Sequence, residues 1–185
     1  MSLRELTKDN HTNAERQEFV KILFSGSISP ELYATYLYNQ FSMYEVLEVC
    51  AMANGVFTDL ASLPRAKSIW ADYTELWPDD DNHPKVCPVV KEYLDYIMSI
   101  KSDPEKLMAH VYVRHMGDLA GGQMIAKKVP GAGKFYQFDA PEDLKNAIRA
   151  KLNDDMADEA KVCFDFATQF FKEMLELAEE LKQHE

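Results

Sequence analysis

Tyr112-Val113-Arg114-His115-Met116-Gly117-Asp118-Leu119-Ala120-Gly121-Gly122-Gln123-Met124-Ile125 sets three glycines inside an otherwise helical pattern, since Leu107 to Tyr112 and Met124 to Val129 both read as good helix. Each glycine costs roughly 1 kcal/mol against Ala in a helix interior, so about 3 kcal/mol must be recovered elsewhere. Gly117 and Gly121 are four apart and share one helix face, where they leave a strip of bare backbone. Two uses fit such a strip: a close crossing with another helix, or the approach of a flat object. A phosphate cradle does not fit, because no strand precedes the stretch and no Gly-Lys-Ser/Thr follows it.

Outward from this stretch the chain reads as helix in both directions. Ser2 with Glu5 forms a capping box, so a helix is expected from the N-terminus to Phe24, stopped by Gly26. At about 100° per residue, Arg4, Lys8, Glu15 and Ile22 lie within about 60° of His11 on that helix, with Phe19 and Leu23 extending an apolar arc to one side. Ser29-Pro30-Glu31 starts a Tyr- and Phe-rich helix that runs to about Ala53, and Leu63-Pro64 opens another that reaches Trp77. Val89 to Ile100 is amphipathic, and Asp103-Pro104 starts the helix that enters the glycine stretch. Ala140-Pro141-Glu142-Asp143 begins a helix bearing Lys145 and Arg149. The last, Asp158 to Lys182, places Phe164, Phe171 and Leu175 on one stripe with Ala167 and Ala178. Nothing reads as a strand, so the expected architecture is a single all-α domain, residues 1–185, of six to eight helices.

A chain of 185 residues at 46% hydrophobic content can bury one core. Its formal charge of -11 opposes binding to nucleic acid or to an anionic membrane over most of the surface, so an anionic partner needs a local basic patch. Cys50, Cys87 and Cys163 are odd in number and widely spaced, which argues against a disulfide framework and for a reducing, cytoplasmic compartment. No apolar signal region opens the sequence and its last residues are too charged for a membrane anchor, so a soluble protein is expected. Several chemistries are also excluded. No His has Glu three residues before it, as a diiron bundle requires, and His110 and His115 are five apart, off a shared helix face for zinc. Ser–His–Asp catalysis lacks a nucleophile elbow.

Arg114-His115-Met116-Gly117-Asp118-Leu119-Ala120-Gly121-Gly122-Gln123 resembles the distal-helix signature of haem oxygenases, usually Arg-Tyr-Leu-Gly-Asp-Leu-Ser-Gly-Gly-Gln. His11-Thr12-Asn13-Ala14-Glu15 resembles their proximal-histidine segment, and the likeness covers nearly the whole chain. It implies a multihelical fold with haem sandwiched between a proximal and a distal helix. Haem suits these parts physically, being a flat apolar disc that needs an imidazole beneath its iron, open space above it and cations for two propionates.

By the resemblance, His11 is the axial iron ligand, and Glu15 is placed to accept from the other ring nitrogen or simply to face solvent. Arg4, Lys8, Lys145 and Arg149 match basic positions facing the propionates, and Tyr112 matches a tyrosine near one of them. Gly117 and Gly121 press main chain toward bound dioxygen. Asp118 is the residue that, in the family, organises the water network delivering protons to activated oxygen. Tyr44 and Arg114 match members of that network, and Phe164 and Phe171 match pocket-lining aromatics. His115, Ala120 and Ala167 depart from the usual Tyr, Ser and polar residue, which puts rate in question more than reaction type.

The implied activity is cleavage of haem, as substrate and cofactor, to biliverdin (the IXα isomer), carbon monoxide and ferrous iron. A bacterial, algal or phage type is implied, with ferredoxin as reductant and a bilin reductase downstream. A haem-binding or haem-sensing protein without turnover is the alternative, and Asp118 is the residue that discriminates.

Overall fold

In the computed structural model, which describes residues 1–184, α1 (Leu3–Leu6) opens on the expected capping box. Ser2 Oγ accepts from Glu5 N at 3.3 Å, and the Glu5 carboxylate accepts from Ser2 N at 2.8 Å. The helix does not continue to Phe24. It is divided into α1, α2 (Lys8–Glu15) and α3 (Glu18–Phe24). At the first joint the Thr7 hydroxyl bonds back to the Leu3 carbonyl at 2.9 Å, and at the second Gln17 takes extended backbone, φ -61° and ψ 141°. These bends turn Leu3, Ala14, Phe19 and Leu23 into one core. The angular placement of Arg4, Ile22, Phe19 and Leu23 about His11 therefore fails, because it required one continuous rod; only Lys8 and Glu15 share a helix with His11.

The starts of α4 (Pro30–Ala53) and α7 (Pro104–Ala126) fall where the sequence places them, whereas α5 (Ala66–Leu76) opens at Ala66 rather than at Leu63-Pro64. Ser29 Oγ accepts from Leu32 N at 3.1 Å to cap α4, and Asp103 accepts from Lys106 N at 3.1 Å to cap α7. Helix α5 starts for a reason no local motif carries. The Glu48 carboxylate, brought across by α4, accepts from Arg65 N at 2.6 Å and Ala66 N at 2.9 Å. The set is completed by α6 (Pro88–Ser99), α8 (Pro141–Arg149) and α9 (Ala157–Gln183), with 3₁₀ turns at Lys134–Tyr136 and Asp154–Met156. Nine helices and no strand are present among the described residues, the excess over eight arising from the divided N-terminal segment.

Helix α9 packs against α2, α3, α6 and α7, and α4 against α5, α6 and α7. The buried stripe of α9 runs through Ala160, Cys163, Phe164, Phe170, Met174 and Leu177, so Phe171 and Leu175 lie at its margin rather than its centre. For function the consequence is that α2 and α7 both lean on α9. Among the described residues no helix is long and apolar enough to cross a membrane.

Candidate active site

Helix α7 runs unbroken through its three glycines, and they divide into two kinds. A Cβ added at Gly122 would collide with the buried Tyr136 ring, so this glycine exists for packing. A Cβ at Gly117 or Gly121 would meet nothing within 4 Å. Those two do not serve a helix crossing; their bare strip faces open space. Gly122→Ala should accordingly destabilise the chain by about 1 to 3 kcal/mol through overpacking. Gly117→Ala should stabilise it by up to about 1 kcal/mol through helix propensity. Urea unfolding of the two variants measures both, and equal signs would contradict the division.

Asp118 follows Gly117 but turns inward. The Tyr44 hydroxyl of α4 donates to Asp118 Oδ2 at 2.8 Å. Burial pushes the Asp118 pKa up to about 6, against the opposing influence of His115, the Tyr44 hydrogen bond, Arg114 and Arg65. A carboxyl group poised there can exchange a proton near neutral pH. Arg114, which as an isolated residue reads as a surface charge, is buried: its Nε donates to the Tyr93 hydroxyl at 3.0 Å and its guanidinium lies 4.2 Å from that ring's centroid. Beyond Tyr44, Gln40 Nε2 donates to the Tyr36 hydroxyl at 3.1 Å, and Tyr36 shares a hydrogen bond with Tyr136 at 3.2 Å. Three buried polar atoms, Tyr33 Oη, Gln40 Oε1 and Thr168 Oγ1, have no partner among the described residues. Buried polar atoms of this kind take water or ligand.

His11 stands out from α2 with its side chain 59% exposed. Its ring meets Phe164 of α9 edge-on, centroids 5.6 Å apart, and its Nδ1 lies 3.5 Å from Glu15 Oε2. That separation is long for a direct hydrogen bond, though it places the carboxylate within reach of the ring through a water. Tyr112 of α7 is half-buried; burial raises its phenol pKa, while Thr7, the N-cap of α2, and Arg4 oppose the rise. Arg4 and Lys8 are exposed. On α8, which packs on α7, Lys145 is part-buried and donates to Glu142 at 3.1 Å, while exposed Arg149 donates to Asn146 at 3.2 Å. The structure therefore joins Asp118, Tyr44 and Arg114, and separately His11, Glu15 and Phe164. It shows no hydrogen bond from Lys145 or Arg149 to either group among the described residues.

Sequence reasoning missed two buried networks. His115 Nε2 lies 2.8 Å from Glu48 Oε2, and His110 Nε2 lies 2.9 Å from Glu159 Oε1, so each histidine rejected as half of a metal pair has its own carboxylate. His110 Nδ1 meets the Tyr93 hydroxyl at 2.8 Å, which links this second network to Arg114. Burial works against charging His110, but Cys163 and Glu159 outweigh it and the pKa is raised. A signal was present for Glu48 alone: it lies four residues after Tyr44, a charge on an aromatic helix face.

An exposed histidine on one helix and a bared, carboxylate-bearing face on another are parts suited to gripping a flat ligand, and solved helical proteins share this arrangement of elements. Heme oxygenase-1 from the cyanobacterium Synechocystis, solved in complex with heme, superimposes with a TM-score of 0.83 over 98% of this chain and 96% of that one, at 24% identity. The heme oxygenase of Leptospira interrogans gives 0.78 over 92% and 98%, at 27% identity. The class of fold is set by these matches. The family follows from the sequence: the heme oxygenase family model matches residues 1–178, and the chain belongs to the haem oxygenase family. Heme oxygenase 2 of Macaca fascicularis is 31% identical over 203 residues, covering 93% of this chain and 64% of that protein, so the chain spans under two thirds of that relative's length. The heme oxygenase of Porphyra purpurea is 30% identical over 93% of this chain and 84% of its own length.

Proposed function

We propose that this chain cleaves haem oxidatively to biliverdin, carbon monoxide and ferrous iron, using dioxygen and electrons from a ferredoxin. Haem is both substrate and prosthetic group. One observation carries the reading: the strip at Gly117 and Gly121 has no packing use and adjoins a buried carboxylate held by Tyr44. Main chain without side chains allows a planar ligand to approach closely, and haem is the planar ligand of the family.

Haem would be held by residues of α2 and α7, His11 being the residue that would bind its iron and Glu15 the one that would fix the imidazole. When bound, it supplies the iron at which dioxygen is reduced and the porphyrin carbon that is oxidised. The chain's residues do the rest. Phe164 backs the His11 ring. Gly117 and Gly121 confine the space for dioxygen, and Asp118, held by Tyr44 with Arg114 behind it, orients the water that passes protons inward. That placement favours turnover over haem storage or sensing, which needs no proton-exchanging carboxyl at the strip. Arg4, Lys8, Tyr112, Lys145 and Arg149 face the propionates, which requires Lys145 and Arg149 to leave Glu142 and Asn146. Exposed Lys127 and Lys128 at the end of α7 offer an acidic ferredoxin a local cationic surface on a chain of net charge -11. The product is a linear tetrapyrrole suited to a downstream bilin reductase. Three buried free thiols, Cys50, Cys87 and Cys163, suit a reducing cytoplasm.

The test is to add haemin, record the Soret band, then supply reduced ferredoxin and quantify biliverdin and carbon monoxide. Haem binding without either product would overturn the enzymatic reading in favour of a haem-binding or haem-sensing role. Regiochemistry has its own check. A hydrogen bond to a charged group contributes about 1.5 to 3 kcal/mol, enough to hold one in-plane orientation of a nearly symmetric disc above roughly 90%. The Lys145→Ala/Arg149→Ala variant should bind and degrade haem but yield a mixture of biliverdin isomers in place of IXα alone. A single unchanged isomer on chromatography would move the anchoring role to Arg4 and Lys8.

A further inference from the structure

We infer that His115 and Glu48 form a buried charged pair that positions the Tyr44–Asp118 hydrogen bond and supplies positive charge to Asp118. The inference deepens the haem-cleavage reading and rests on it for its functional meaning. His115 is fully buried on α7, one turn before Asp118. Its Nδ1 lies 3.2 Å from the Val111 carbonyl, which can only accept, so Nδ1 carries a proton. Its Nε2 lies 2.8 Å from Glu48 Oε2, and this contact must hold a second proton on one side or the other. Glu48 settles the side. Its carboxylate already accepts from Arg65 N at 2.6 Å and Ala66 N at 2.9 Å, and two backbone donors stabilise the ionised form. The geometry is therefore that of an imidazolium facing a carboxylate.

The pair reaches Asp118 in two ways. Mechanically, the His115 ring packs edge-on against Tyr44 with centroids 5.3 Å apart, and Phe57 closes the other side at 5.9 Å. Tyr44 is thereby aimed at Asp118. Electrostatically, the groups acting around this carboxyl are Tyr33, Tyr36 and Tyr44 from α4, Arg65 from the start of α5, Arg114 and His115 from α7, and Tyr136 from the 3₁₀ turn.

 Among them His115 has the largest opposing effect on the burial that would otherwise keep Asp118 protonated. A tyrosine at position 115, usual in the family signature, could pack on Tyr44 but could not carry this charge.

Two measurements on the haem-free chain test the pair. Long-range ¹H–¹⁵N spectra, with the His115 signals assigned from the His115→Gln variant, should show both ring nitrogens protonated at neutral pH. A ring protonated on one nitrogen only would overturn the charged pair, and this measurement needs only the unaltered chain to be folded. Carboxyl-¹³C aspartate labelling, assigned with Asp118→Asn, should show the Asp118 midpoint rising by about one unit in His115→Gln, a tenfold change in proton occupancy at fixed pH. His115→Tyr keeps a ring beside Tyr44 but carries no charge, so it should show the same rise; an unmoved midpoint in that variant would leave only a structural role and the inference would fail. Neither readout uses haem. A chain that passes both tests but makes no biliverdin would overturn the haem-cleavage reading and leave the pair standing.

Discussion

His11→Ala should abolish haem turnover while leaving the chain folded. The His11 side chain is 59% exposed, and its packing contact is one edge-on meeting with Phe164. Surface substitutions of this kind usually change stability by no more than about 0.5 kcal/mol, so urea unfolding of the haem-free variant should match the parent. Three of the other histidines are already engaged and offer no ready substitute for the ligand role proposed for His11. His110 and His115 are fully buried and engaged with Glu159 and Glu48, and His83 is stacked on Tyr38, centroids 5.5 Å apart. Addition of haemin to the variant should therefore give an altered Soret band and no biliverdin, and added imidazole should restore part of both. A parental Soret band with parental turnover would show that another histidine binds the iron.

What the sequence revealed and what it hid follow a physical division. Helix starts at Ser2, Ser29 and Asp103 were legible because a capping side chain and the N–H groups it satisfies lie within one turn of each other. The start of α5 was not, because its cap is Glu48 from another helix. The division of the N-terminal helix was missed because its apolar spacing reads smoothly through Thr7 and Gln17, and only the tertiary core decides that the chain bends there. In the site, the glycines announced themselves by their cost in a helix, but nothing local could separate Gly122, which makes room for Tyr136, from Gly117 and Gly121, which make room for nothing in the chain. The burial of Arg114 and the partners of His110 and His115 were hidden for the same reason: Tyr93, Glu159 and Glu48 lie on other helices.

Asp118→Asn should act in two opposite directions, ending biliverdin formation while stabilising the haem-free fold. The first effect follows from its place at the strip, where an amide cannot take up and release the proton that a carboxyl group exchanges near pH 6. The second follows from linkage. The carboxyl group has a reference pKa of 3.8 and is pushed up to about 6 by burial in the fold. Between those values the folded chain binds a proton that the unfolded chain does not, so stability rises as pH falls through 6 toward 4. Above 6 both states are ionised, and the buried charge costs the fold about 3 kcal/mol. Asn carries no charge at any of these pH values and its amide oxygen can still accept from Tyr44, so the variant escapes that cost. Urea unfolding of variant and parent should then show the variant ahead at pH 7, by up to about 3 kcal/mol, with the gap closing toward pH 4 as the parent's Asp118 takes up its proton. Other carboxylates titrate alike in both proteins and cancel from the difference. A gap that does not change with pH would mean that Asp118 is not held against its charge. The expected result places Asp118 beside Gly117 and Gly121 as positions where the fold accepts a loss of stability that no packing contact explains and that the proposed haem chemistry would explain.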